Sequence, residues 1–276
     1  MTNPRILRVN MPEREAEATW LTRHQSTVKS QGGQDGQIQK IFDIIGTTNK
    51  WCVEFGAWDG EHFSNTWSLI NQHGWSSVQI EGNSEKAGEL SARYADRPDV
   101  HCLNRFVGFD RGVDTLDDLL ATTPCPIELD FMSIDIDGND WHIWNSLEVY
   151  RPRVIMIEVN FLADPNLHHV QERRFGLNES NSLAAMVALA KDKGYELVGV
   201  DADAFFVHAD LFPLFGLSDN SPKFLTNPAA VPYLFSGFDG SMIMAGYRQL
   251  IWQGIPLSHD DIQVLPEAAR KLWWND

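Results

Sequence analysis

Apolar, strand-like runs alternate with helix-like segments at least five times along this chain. That alternation limits its fold more than any single motif does. The runs are "KWCVEFGA", "WSSVQIEGN", "DVHCLNRFVG", "LDFMSIDIDGND" and "RPRVIMIEVN". Between and after them come "FSNTWSLINQHG", closed by Gly74, "SEKAGELSARYAD", with Ser84 as the expected cap, "VDTLDDLLAT", "WHIWNSLEVY" and "SLAAMVALAKDKG". A preceding segment places Ile38, Ile41, Phe42 and Ile45 at helical spacing and stops at Gly46. Continuous apolar strands separated by helices predict a mostly parallel sheet covered on both faces. "YELVGVDADAFFVHADL" predicts two strands folding back at Asp201-Ala202-Asp203, an antiparallel hairpin at the sheet edge.

The chain has 276 residues, 43% of them hydrophobic, enough for one large core. The expected division is an N-terminal helical or cap segment (1–48), the sheet domain (49–211), and a C-terminal lid or packing segment of the same domain (212–276). That last stretch is rich in Pro, Asn and Phe without clean periodicity, and Trp273-Trp274 near its end suggest docking. The net charge of −16 argues against a nucleic-acid partner, which needs clustered Lys and Arg, and against an anionic membrane. Cys52, Cys102 and Cys125 are scattered and odd in number, as in a reducing compartment. The N-terminus lacks the apolar core of a signal peptide, and no run approaches the roughly 20 apolar residues of a membrane span. A soluble, cytoplasmic protein is expected, with a homo-oligomer left open.

Open α/β sheets bind ligands at the carboxyl ends of their strands, where strand order reverses. "EFGAWDG", Glu54 to Gly60, falls at such an end. Its glycines permit a tight turn and close backbone approach. The spacing is G-x-x-x-G rather than G-x-G-x-x-G, and two acids load the turn, which disfavours a pyrophosphate and suits a cationic ligand. The next strand ends at Glu81, well placed to accept both hydroxyls of a ribose. A charged nucleoside without phosphate fits both features, and S-adenosylmethionine is such a molecule.

"SQGGQDGQIQKIF", "VEFGAWDGEHFSNTW", "GWSSVQIEGN", "SIDIDGND" and "RPRVIMIEVN" resemble the FkbM-like class of S-adenosylmethionine-dependent methyltransferases, over roughly Ser30 to Leu211. The resemblance implies the Rossmann-like, seven-stranded class I methyltransferase fold. It implies that Glu54, Gly56 and Asp59 line the methionine and sulfonium end, with Ala57 and Asn65 from the same stretch and Asp135 from the fourth strand, and that Glu81 holds the ribose. Asn83 and the segment Asn104-Arg105-Phe106 would lie near the adenine. Gln31 and Asp35 match the family's opening motif and would close over the cofactor. The fourth-strand motif departs from the commoner pattern "KIDVEGAE", which bears on the acceptor or the chemistry.

Asp135, Asp137 and Asp140 end the fourth strand, and Glu158-Val159-Asn160 end the fifth. Asp135, Asp137, Glu158 and Asn160 are the candidate ligands of Mg²⁺, since hard oxygen donors suit it. A metal would lower an acceptor hydroxyl's pKa. Asp135 and Asp137 share one face if the strand continues that far. His142 is the candidate general base, with Asp137 and Asp140 as further catalytic candidates. Trp58 and Trp141 are the tryptophans placed nearest a ligand. O-methylation of a small molecule, such as a natural product or sugar, is the expected reaction. A non-methylating enzyme with the same cofactor and a nucleotide-dependent oxidoreductase are the alternatives.

Overall fold

The sheet orders itself around a reversal. The computed structural model describes residues 17–226 and 231–271; residues 1–16 and Trp273-Trp274, for which expectations were stated, lie outside them. Seven strands form the main sheet: β1 (Trp51–Phe55), β2 (Ser76–Glu81), β3 (Val100–Asn104), β4 (Phe131–Ile134), β5 (Val154–Glu158), β6 (Tyr195–Val200) and β7 (Asp203–His208). Their order is β3-β2-β1-β4-β5-β7-β6. The chain moves outward from β1 to β3, then returns to lay β4 on the other side of β1. The switch point therefore lies between β1 and β4. Pairs from β3 through β5 are parallel, and β7 is antiparallel to both neighbours. The expected mostly parallel sheet with an edge hairpin is present. The second strand of that hairpin inserts beside β5, so β6 is outermost.

Helices cover both faces. On one side α1 (Gln34–Ile45), α2 (Trp67–His73) and α3 (Ser84–Arg93) bury Ile38, Ile41, Ile70 and Leu90 against Cys52, Phe131, Met156 and Phe205. On the other, α4 (Leu116–Leu120), α5 (Asp140–Ser146) and α6 (Leu183–Asp192) bury Leu116, Trp144 and Met186 against Val53, Ile134 and Phe206. Residues 34–45, assigned from sequence to a cap segment, are thus part of the core layer. Each such side chain contributes roughly 1.5–3 kcal/mol when fully buried. The cap of α3 is Asn83, not the expected Ser84: its side chain accepts from Glu85 N and Lys86 N. After β7 come a short helix α7 (Pro222–Leu225) and two small hairpins, β8 (Pro232–Ser236) with β9 (Met242–Gly246), and β10 (Gln249–Leu250) with β11 (Ile255–Pro256). Among the described residues no helix is long and apolar enough to cross a membrane.

The amino ends of the strands are tied by Asp130, which is fully buried. Its carboxylate accepts from the backbone of Thr48, Asn49 and Lys50, from the Thr48 hydroxyl, and from Arg153 at 2.7 Å. Burial alone would raise its pKa, but these partners hold it below the usual carboxylate range. Removing one member of a buried pair leaves the other uncompensated, at about 3–5 kcal/mol. Asp130→Ala should lower unfolding free energy by an amount of about that size in urea titrations; a change below ~1 kcal/mol would show that the loop is held by other contacts.

Candidate functional site

Register carries the strand ends into one transverse row. Glu158 pairs directly with Asp203. Phe55 pairs with Ile80 and with Ile134, and Ile134 pairs with Ile157. One rung further, Gly56 stands opposite Glu81 on one side and Asp135 on the other, and Asp135 stands opposite Glu158. The row Glu81–Gly56–Asp135–Glu158–Asp203 crosses the switch point at the carboxyl edge. Gly56 adopts φ 71°, and a Cβ there would meet the Asp135 carbonyl oxygen at 2.6 Å. Only glycine fits that close approach.

Two cavities meet over Gly56. The smaller, of about 290 Å³, is bounded by Glu81, Gly82, Arg105, Phe106 and Val107. The larger, of about 500 Å³, reaches from Gln31, Gln34 and Asn65 past Asp135 to Glu158, Asp203 and Trp252. Phe55, Gly56, Trp58, Asp135 and Asp137 border both. Glu81 accepts from Trp58 N (2.8 Å) and Asn83 N (2.6 Å), one bond per oxygen. Each oxygen keeps a lone pair, as a ribose diol needs. Trp58 takes a left-handed turn (φ 49°) to make its bond. The exposed Phe106 ring lies close over Gly82, forming a flat wall beside Glu81.

Three other expected ligands, Asp35, Asp59 and Asn83, border neither cavity and shape loops. Glu54 borders the larger cavity, but its carboxylate is spent on Ser64 Oγ, Asn65 N and Thr66 Oγ1, so it anchors the segment carrying Asn65. Asn65 borders the larger cavity, is buried and bonds Ser133 through its amide nitrogen, while its buried Oδ1 lacks a partner. Ala57 also borders that cavity. Asp59 faces away: one oxygen receives Glu61 N and His62 N, and the other pairs with Arg93. Asp35 gathers Val28 N, Lys29 N, Ser30 N and Ser30 Oγ onto one oxygen, fixing the loop that delivers Gln31. Asn83 caps α3 and touches neither cavity. Arg105 and Phe106 border the smaller cavity beside Glu81.

The fourth-strand expectations need correction. β4 ends at Ile134, and Asp137 sits in a left-handed turn (φ 57°), so strand alternation does not relate it to Asp135. Asp140 is fully buried, with its oxygens on Ile136 N and Gly138 N; it winds this turn and faces no cavity. His142 Nε2 donates to the Gln171 carbonyl, and its ring packs on Trp141 and Phe109, so it borders neither cavity and is not placed as a base. Trp141 bonds the Ala185 carbonyl and packs on the core. The proposed Mg²⁺ set fails on its donors. Asn160 spends its Oδ1 on Leu162 N and its Nδ2 on Glu179 O, and among the described residues no group of three or more acids, histidines or cysteines is arranged to hold a metal. Gln34, Asp203 and Trp252 border the larger cavity and were missed. Only Asp203, at the hairpin turn, had a sequence signal, since its register follows from that turn.

The row is electrostatically strained. Of the acids facing the larger cavity, Asp203 accepts from Gln34 (2.7 Å) and Asp137 from Asn178 (3.2 Å), while Glu158 Oε2 is buried without a partner. Burial first, then the charges of Asp140, Asp137 and Asp203, pushes Glu158 up to about 9. Burial pushes Asp203 up to about 6 despite its Gln34 bond. Asp135 is well above the carboxylate range, through burial and then the charges of Asp203, Glu158, Asp140 and Asp137.

No family model matches the chain and no curated protein matches it, so the FkbM-like resemblance rests on its motifs alone. Solved structures do match. The N-terminal domain of EvdMO1, crystallised with SAH and D-fucose, aligns over 72% of this chain and 97% of that one at 16% identity, with a TM-score of 0.42. A SAM-dependent methyltransferase from Aquifex aeolicus aligns over 69% and 96% at 13% identity, with a TM-score of 0.40. Magnesium protoporphyrin IX methyltransferase from Synechocystis PCC 6803, with bound SAM, aligns over 73% and 86% at 10% identity, with a TM-score of 0.36. At these scores the likeness carries no functional argument, and the fold stands on the sheet's own hydrogen bonds.

The raised acid in the row has a stability consequence. A carboxyl whose folded pKa exceeds its unfolded value stabilises the fold fully below the unfolded pKa, and that contribution is lost as pH rises through the folded pKa. For Glu158 the loss runs from the ordinary value of 4.5 up to about 9. Urea unfolding should therefore show wild type losing stability between pH 6 and pH 9, and Glu158→Gln losing less. Equal losses in both proteins would remove Glu158 from the strained row.

Proposed function

We propose that this chain is an S-adenosylmethionine-dependent methyltransferase acting on a small-molecule acceptor. The carrying observation is the row across the switch point: a ribose-competent carboxylate, a glycine with no room for a Cβ, then three acids with few partners. The nucleoside fits this set. Glu81 would receive the ribose hydroxyls, Phe106 would flank the base, and the acids beyond Gly56 would face the cationic end. Bound there, S-adenosylmethionine supplies an electrophilic methyl group.

The residues of this chain then have three tasks. Glu81 and the loop held by Asp35 orient the donor, and orientation accounts for much of the rate in such reactions. Trp58, Phe63, Phe161 and Trp252 give the larger cavity an aromatic wall. Glu158 and Asp203 are placed to exchange a proton on that side, with Asp135, Asp137 and His62 also on the cavity wall. No Lys or Arg borders the larger cavity among the described residues, which favours a small neutral or cationic acceptor over a phosphate chain. The absent G-x-G-x-x-G and the acidic turn weigh against a nicotinamide dinucleotide.

Calorimetric titration tests the reading. Wild type should bind S-adenosylmethionine and not NAD. Glu81→Gln, with its fold checked by circular dichroism, should bind about 10–100-fold more weakly, the order of one lost hydrogen bond to a charged group. No binding by wild type, or equal affinity in Glu81→Gln, would contradict it.

A further inference from the structure

We infer that the larger cavity selects an aromatic or arylalkyl amine, bound as its ammonium between Glu158 and Asp203 with its ring against Trp252 and Phe161. The inference rests on the reading of the site as a methyltransferase and adds the acceptor's chemical class.

Three observations carry it. Glu158 and Asp203 are direct register partners in the antiparallel β5–β7 pair, and like charges placed opposite each other destabilise a sheet, a cost that a shared proton or a bound cation relieves. The pair is also under-satisfied. Asp203 is nine-tenths buried and bonds Gln34 through one oxygen, leaving the other without a partner, and Glu158 Oε2 is buried with none. Asn65, equally buried, borders the same cavity and keeps an unpartnered Oδ1. Thirdly, the wall beyond the pair is aromatic. Phe161 follows β5, and Trp252, largely exposed at the tip of the β10–β11 hairpin, closes the mouth. Rings beside carboxylates, with no competing Lys or Arg on the wall, suit an organic cation.

Acid and acceptor are also matched in proton affinity. Glu158, pushed up to about 9 by burial and its acidic neighbours, holds a proton in the empty site at neutral pH and releases it when an ammonium takes its place; its value lies near that of about 10 for an alkylammonium and far below that of an alcohol. The ammonium gives one proton to the Glu158–Asp203 pair. The freed nitrogen lone pair then forms the N–C bond to the methyl group, the donor's C–S bond breaks with its electron pair staying on sulfur, and a methylammonium and a neutral thioether remain.

Binding separates this inference from the reading beneath it. The full-length protein is first titrated with S-adenosylhomocysteine, then, saturated with it, with phenethylamine and with 2-phenylethanol, which share a ring and differ in the polar group. The expected result is phenethylamine binding at least about tenfold tighter than the alcohol, with the preference lost in Glu158→Gln and in Asp203→Asn. Trp252→Ala should weaken both probes without changing their ratio. Failure to bind S-adenosylhomocysteine would overturn the methyltransferase reading and this inference together. Normal S-adenosylhomocysteine binding with equal affinity for the two probes, a preference for the alcohol, a preference that survives both substitutions, or no amine binding would overturn the acceptor class alone.

Discussion

Mutual repulsion among carboxylates, held in register across one sheet edge, is the constraint around which the rest of this structure is arranged. Asp135, Glu158 and Asp203 are brought side by side by backbone pairing, not by attraction. Their raised proton affinities record burial first and, for Asp135 and Glu158, the charges of their acidic neighbours. A sheet of this stability could host apolar residues at those rungs, as it does one pair earlier, where Ile157 faces Ala204. A site that keeps acids there instead is built for something positive. Gly56, in the gap between Glu81 and Asp135, leaves open the space in which that guest can lie.

The layer beneath explains why the row holds its shape. Glu54, Gln79 and Ser133 lie in neighbouring strands one rung deeper than Ile80 and Ile134. Their side chains form a buried polar lattice with Ser64, Asn65 and Thr66. That lattice fixes the segment after β1 from below, while Asp35 fixes the loop before α1 from the side. Both loops therefore meet the larger cavity at defined positions, although neither belongs to the sheet. Charge is concentrated along the edge, and most of the polarity below it is used in support, with Asn65 Oδ1 and Gln79 Oε1 left without partners.

The fold was legible because hydrophobic period and glycine stops act locally: Gly74 ends α2 and Asp201-Ala202 turn β6 into β7, as the sequence predicts. Glu81 was legible because its place at the end of β2 follows from strand order. Asp35, Asp59, Asn83 and Asp140 show why loop acids and amides are hard to assign from sequence. A short polar side chain beside glycines can bind a ligand or satisfy its own backbone, and the sequence pattern is the same for both. Here all four satisfy backbone N–H groups. Glu54 could have been placed by alternation, since it shares a face with buried Cys52. Trp252 could not, because nothing periodic in the last sixty residues indicates where a hairpin tip will land.

Cocrystallisation with S-adenosylhomocysteine tests the central claim most directly, because it asks where the row places its guest. The account predicts the ribose hydroxyls on the Glu81 carboxylate, the base beside Phe106, and the homocysteine amine running past Gly56 toward Asp135. A nucleoside bound elsewhere, or one whose ribose leaves Glu81 untouched while the acids of the row stay unpaired, would contradict it.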